Sequence, residues 1–183
     1  NAQANAAALQ METLSTELAS WSSEQDAAKK SETEKHLVTE LNGVIKKWPK
    51  QFAAARAYTW LARIDEGNRD WASAEKNWLA VVEKFPNTYL APLALQNAAV
   101  AAEERGAIDV AMKYYKTVID KYVGKTVGIQ HAYFSLGRLA EESKDYVSAM
   151  ANYQKLLSLY PDEDWTKLGR DRIIFLKANG LGK

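Results

Sequence analysis

The sequence contains no cysteine, which excludes disulfides, thiolate metal sites and a cysteine nucleophile together. Histidine is scarce: His36 and His131 are the only two, and no His-x-x-x-His or Glu-x-x-His spacing sets two metal ligands on one helix face. Chain breakers are few, with four prolines and nine glycines in 183 residues. No apolar run approaches the roughly 18 residues that a membrane-spanning helix needs. A basic, an apolar and a small-residue segment in the order of a signal peptide are also missing. Charge of one sign is absent too. The 24 Lys and Arg against 23 Asp and Glu leave a net +1, without the basic excess of a dedicated nucleic-acid binder. What the chain does have is large rings, six Trp and nine Tyr among them.

The rings are periodic. Val44-Ile45-Lys46-Lys47-Trp48, Val81-Val82-Glu83-Lys84-Phe85, Val118-Ile119-Asp120-Lys121-Tyr122 and Leu156-Leu157-Ser158-Leu159-Tyr160 align, and their closing rings lie 37, 37 and 38 residues apart. Pro49, Pro86 and Pro161 follow three of them, and Val123 follows the other. Upstream, Leu41, Trp78, Tyr115 and Tyr153 are in phase, as are Leu37, Ala74, Ala111 and Ala149. Several residue classes held in phase over three steps make an internal repeat.

Each unit reads as two helices. In the last unit Tyr133, Leu136, Gly137 and Ala140 fall on one helical face, Lys144-Asp145 interrupts, and Tyr146, Ala149, Tyr153, Leu156 and Leu157 form a second stripe. Asp145 suits an N-cap, and Pro161 cannot donate the next helical hydrogen bond. Tyr58, Leu61 and Ala62, then Trp71, Ala74, Trp78, Val81 and Val82, behave alike around a break at 67–70. Leu95, Ala98, Ala99 and Ala102, then Ile108, Ala111, Tyr115, Val118 and Ile119, do so around Gly106. Ala62, Ala99 and Gly137 are placed where two helices cross closely.

Aromatic-x-x-Leu-(Gly/Ala), followed by Tyr/Trp-x-x-Ala-x-x-x-Tyr/Trp, an apolar pair and proline, resembles the tetratricopeptide repeat. The likeness spans residues 50–161 as three units, about 50–86, 87–123 and 124–161, and a degenerate unit lies within 1–49. The resemblance implies an all-α fold, a right-handed superhelix of antiparallel helix pairs, with a long N-terminal helix and a capping helix in 162–183. The Phe-Pro-Asn-Thr and Tyr-Pro-Asp endings are similar to those of bacterial envelope members of the family. They imply a cell-envelope or periplasmic location with a signal or anchor upstream of Asn1; the alternative is cytoplasmic.

At the N-terminus Ala4, Ala7, Met11, Leu14, Leu18, Trp21, Gln25 and Ala28 keep a 4-3 spacing. That spacing fits a coiled-coil seam, giving a dimer or stalk, or a long helix packed on the first repeat of a monomer. Ser31-Glu32-Thr33-Glu34 is a capping-box pattern and predicts a second helix from there to Lys47. Asp162-Glu163-Asp164 places negative charge at a helix start, and residues 165–176 form the capping helix. The tail from Asn179 is expected to fray.

No site of chemistry emerges. Gly180-x-Gly182 is too isolated for a phosphate loop, and 162–164 lack the glycine and distal glutamate of a calcium loop. Lys46, Lys47 and Lys50 complement a helix C-terminus. Glu103-Glu104 and Glu141-Glu142 close first helices and read as solvated. The expectation is therefore a non-enzyme without cofactor or metal, whose working part is a surface binding a peptide or protein rather than nucleic acid. Stacked helix pairs line their concave side with first helices. That selects Arg56, Thr59, Trp60 and Arg63, then Gln96, Asn97, Val100 and Glu103, then His131, Phe134, Arg138 and Glu141. Three arginines there suit a partner with acidic and apolar side chains, with rings and Arg as anchors. Trp60 and Phe134 also suit packing between units. Of the residues of the family's carboxylate clamp only Asn97 coincides. The alternatives are small-ligand capture, serving a transporter, and the structural stalk.

Overall fold

The computed structural model describes residues 2–126 and 128–182. Among them all regular structure is helical: α1 (Ala2–Ser23), α2 (Ala27–Lys47), α3 (Phe52–Gly67), α4 (Trp71–Lys84), α5 (Leu90–Glu104), α6 (Ile108–Tyr122), α7 (Ile129–Glu142), α8 (Tyr146–Leu159) and α9 (Asp164–Ala178). The chain divides into two compact units, Asn1–Ala94 and Leu95–Lys183, with the division inside α5.

In the first unit α1 packs on both α2 and α3, α2 on α3, and α3 on α4. Ala7, Met11, Leu14, Leu18 and Trp21 of α1 are buried in one core with Leu37, Leu41, Val44, Trp48, Leu61 and Ile64. The apolar seam of α1 is thus covered by its own chain. The break between the first two helices lies earlier than the capping-box pattern predicts. Asp26, not Ser31, caps α2, its carboxylate accepting from the amides of Ala28 and Lys29 at 2.9 and 3.0 Å. Asp and Ser are about equally good caps, so the choice follows from where α1 must end to pack on α2 and α3. The 4-3 run therefore stops at Ser23, and Gln25 and Ala28 are exposed.

In the second unit α6 packs on α7, α7 on α8, and α9 on both α7 and α8. Ala140, Ala149, Met150, Tyr153, Ile173 and Leu176 form a core to which Leu181 adds its side chain. The expected fraying of the tail is not seen as far as Leu181, and Lys183 lies outside the described residues. Leu181 donates its amide to Leu176 O at 2.9 Å, so one apolar residue past Gly180 is enough to fasten it.

The period is written in burial. Ala54, Ala57, Leu61 and Ile64 of α3 correspond to Ala91, Ala94, Ala98 and Ala101 of α5 and to Ile129, Ala132, Leu136 and Leu139 of α7; all are buried. The same register continues into α9 as Thr166, Gly169, Ile173 and Leu176, also buried. In the second helices Ala74, Trp78 and Val81, Ala111, Tyr115 and Val118, and Ala149, Tyr153 and Leu156 are buried in one register. At Gly137 a Cβ would overlap the Tyr153 ring, so the α7–α8 crossing admits only glycine as it stands.

Helix ends repeat as well. Trp48, Phe85 and Tyr160 leave the helical region at φ −132°, −132° and −139°, and their amides still reach Val44 O, Val81 O and Leu156 O. A following proline disfavours the α conformation at the residue before it. Tyr122, followed by Val123, stays inside α6. Between the paired helices Arg69, Gly106 and Lys144 occupy one register with φ of 58°, 81° and 61°. Each is followed by an amide that reaches five residues back, Asp70 to Asp65 O, Ala107 to Ala102 O and Asp145 to Ala140 O. This is a left-handed helix stop that favours glycine, used with glycine once in three.

Candidate functional site

Each first helix ends in a glutamate that accepts from a ring of its own second helix. Trp78 Nε1–H donates to Glu66 at 2.6 Å, Tyr115 O–H to Glu103 at 2.7 Å and Tyr153 O–H to Glu141 at 2.8 Å. Glu66, Glu103 and Glu141 share one register, and so do their donors. A carboxylate at a buried ring satisfies the polar atom of a side chain otherwise sunk in the core.

In the second unit arginines from the following first helix complete the arrangement. Arg138 of α7 reaches Glu103 at 2.5 Å and Glu142 at 2.8 Å. Arg172 of α9 donates Nε–H to Glu141 at 3.0 Å and pairs with its other oxygen through a terminal nitrogen. Glu103 and Glu141 are therefore not solvated, as their sequence context suggests, but mostly covered and ion-paired. Burial opposes ionisation of Glu141, yet the hydrogen bonds from Arg172 and Tyr153 outweigh it and hold its pKa below the usual carboxylate value. Burial, reinforced by the carboxylates they serve, pushes the Tyr115 and Tyr153 hydroxyls well above the ordinary phenol range.

The predicted surface residues fall as follows. On α3, Arg56 is held by Glu12 at 2.8 Å and by Ser15 Oγ at 3.1 Å, both from α1. Thr59 is buried, its hydroxyl donating to Ala55 O. Trp60 is half-buried against the core of the first unit, and the exposed Arg63 guanidinium lies 5.4 Å from its ring centroid. On α5, Gln96, Asn97 and Val100 are half-buried, and Gln96 contacts His131 Nδ1.

On α7, His131 and Phe134 join a cluster of rings. His131 lies edge-on to Tyr115 at 5.7 Å and to Trp165 at 4.7 Å. Phe134 stacks at a tilt on Trp165 at 5.3 Å and on Tyr153 at 5.7 Å. Burial lowers the His131 pKa below its ordinary value, against the pull of Glu103, so the ring is neutral at neutral pH. Beside these rings Phe134, Arg138, Glu141, Glu142, Tyr153 and Arg172 line an open cleft of about 300 Å³. Among the described residues no three His, Cys, Asp or Glu gather as a metal-binding group. Among the described residues no helix is long and apolar enough to cross a membrane.

A family model described as tetratricopeptide repeat matches residues 93–123 and 131–163. These are the helices that carry the two Glu–Tyr pairs of the second unit. Over those residues the chain is similar to the tetratricopeptide repeat, in keeping with its 37–38-residue period of helix pairs. A curated relative, a TPR repeat-containing protein of Treponema pallidum (strain Nichols), is 28% identical over 133 residues. They make up 73% of this chain and 55% of the relative, so the chain spans about half the length of the curated relative it matches. Tetratricopeptide repeats are generally protein-interaction modules and generally non-catalytic.

Within the second unit one set of residues escapes the sequence reading. Carried one period further, the positions of His131, Phe134 and Arg138 become Leu168, Asp171 and Phe175 of α9. Leu168 and Phe175 are exposed, and Arg172 lies 4.6 Å over the Phe175 ring. The signal is present in the sequence as Gly169 and Ile173, in phase with Ala132 and Leu136. It is masked because α9 lacks a second helix in the described residues and reads only as a cap.

Proposed function

We propose that this protein is a non-catalytic scaffold that binds a peptide or protein on the faces of its first helices left free by packing. The observation that carries the reading is the ring and guanidinium pairs standing on those faces: Trp60 with Arg63 on α3, and Phe134 with Trp165 beside Arg138 and Arg172 on α7 and α9. Half-exposed rings fixed by intramolecular neighbours bind with little ordering cost, which is what makes aromatic and Arg residues frequent anchors at interfaces. The open form of the cleft favours a chain segment over an enclosed small ligand.

Photo-reactive phenylalanine analogues at Trp60, at Phe134 and at the exposed Val147 of the second helix α8 test this in the cells that make the protein. The first two positions crosslink a protein and the third does not; crosslinks from Val147 alone contradict the proposal. Arg63→Ala is the informative charge substitution, because Arg63 has no ion pair among the described residues. It leaves the melting temperature nearly unchanged and weakens partner binding by up to about tenfold, roughly 1.4 kcal/mol. Removing Arg56 or Arg138 instead frees Glu12 or Glu103 and disturbs the fold along with the surface.

A further inference from the structure

The first helices of the second unit say more about what they bind, and this inference rests on the scaffold reading above. Three arginines in the sequence suggest an acidic partner. The structure removes that attraction on α7 and α9. Arg138 is already bonded to Glu103 and Glu142, and Arg172 to Glu141. Two guanidiniums against three carboxylates leave this face close to neutral. A partner carboxylate meets Glu142, whose side chain is 56% exposed, and competes with internal partners for each guanidinium. A partner ammonium does no better. Arg138 and Arg172, with side chains 39% and 40% exposed, stand in front of Glu103 and Glu141 at 16% and 12%. Either sign of charge is met by its like.

Apolar surface, by contrast, is abundant and contiguous. Trp165, Leu168 and Phe175 are 36%, 48% and 47% exposed, and with Arg172 they form one stripe of α9 at spacings of three, four and three residues. Trp165 touches Phe134, which joins the stripe to the cleft on α7. The seat is not one for a further second helix of the repeat. That helix would approach α9 at the register of Gly137, where Ile174 stands, flanked by Arg170 and Lys177 at the registers of Tyr133 and Ala140.

We propose that the α7–α9 face docks an apolar peptide segment of low net charge. Its side chains rest on Phe134, Trp165, Leu168 and Phe175. Arg138 Nε–H, which has no partner among the described residues, and the Arg172 N–H groups not spent on Glu141 and Tyr153 donate to its backbone carbonyls. The pairing with carboxylates fixes the guanidiniums and cancels their charge while leaving these donors free.

Three labelled peptides of one length, with identical Leu and Phe positions and Gln, Glu or Lys between them, provide the test on the full chain by fluorescence anisotropy and amide NMR. The Gln peptide binds at least about fivefold more tightly than either charged one, and its affinity changes less than about twofold between 50 and 500 mM NaCl. Leu168→Ser with Phe175→Ser weakens it at least about fivefold, and Ile174→Ser, also exposed but on the other side of α9, does not. An acidic or basic peptide that wins with steep salt dependence and perturbs α7 and α9 overturns the neutral-partner proposal and leaves the scaffold reading standing. If no peptide perturbs α7 or α9, both fall. An Ile174→Ser loss equal to that of the double variant also overturns the docking stripe.

Discussion

At the scale of residues the energetics are concentrated in the glutamates that end the first helices. Glu141 is nearly covered and serves two donors, so Glu141→Gln leaves the Tyr153 hydroxyl an acceptor but takes the charge from Arg172. The expected loss is about 1–3 kcal/mol, read from denaturant unfolding; Glu142→Gln, at an exposed pair, costs less than about 1 kcal/mol. The pH dependence separates two groups. His131 has its folded pKa below the ordinary 6.5, so the unfolded chain binds the extra proton first and stability falls as pH drops below that value. Glu141 has its folded pKa below the ordinary 4.5, so its contribution is complete above that value and is lost as pH falls through the lower folded one. Replacing His131 by Gln therefore flattens the stability curve in the window just below pH 6.5 and leaves the acid limb below 4.5 in place. Little of this was legible in advance. Glu-Glu at a helix end looks the same on the page whether it faces water or a tyrosine hydroxyl twelve residues on.

At the scale of elements the alternation of helices follows from local chemistry, and the turns between them offer a clean test. Arg69, Gly106 and Lys144 hold the same left-handed conformation, and no heavy atom beyond its immediate neighbours lies within 4 Å of a Cβ built on Gly106. Gly106→Ala thus costs only backbone strain, about 1–2 kcal/mol. Lys144→Gly relieves the same strain and changes stability by less than about 1 kcal/mol in the favourable direction, the relief being offset by a more flexible unfolded chain. Gly137→Ala is a different case, since its Cβ meets the Tyr153 ring, and a loss of about 1–3 kcal/mol is expected from overpacking. Thermal melting of the four proteins side by side checks the order. The proline stops and the Asp145 cap could be read from sequence because each acts through its own backbone. The start of α2 could not, because Asp26 and Ser31 are both adequate caps and only the packing of α1 on α2 and α3 chooses between them.

At the scale of the whole molecule the N-terminal helix is the part whose packing the fold defines. Its seam of Met11, Leu14, Leu18 and Trp21 is spent on the core of the first unit. Light scattering on the full chain is expected to give the mass of one chain, 20.5 kDa. Deleting residues 1–25 uncovers Leu37, Leu41 and Leu61 and lowers the melting temperature, whereas a stalk would be lost without such a penalty. The repeat itself, its phase and its all-helical character were determined by the sequence alone, since a 37–38-residue period of rings, small residues and prolines acts locally and in register. The absence of cysteine likewise excluded disulfides and thiolate sites within this sequence, whatever the fold. What only the tertiary structure decided is which charged groups are free. Arg56 and Arg138 meet carboxylates 44 and 35 residues away, and Leu168 and Phe175 remain uncovered. Pairing over such separations depends on how helices stack, and it turned an apparently cationic surface into a nearly neutral, apolar one.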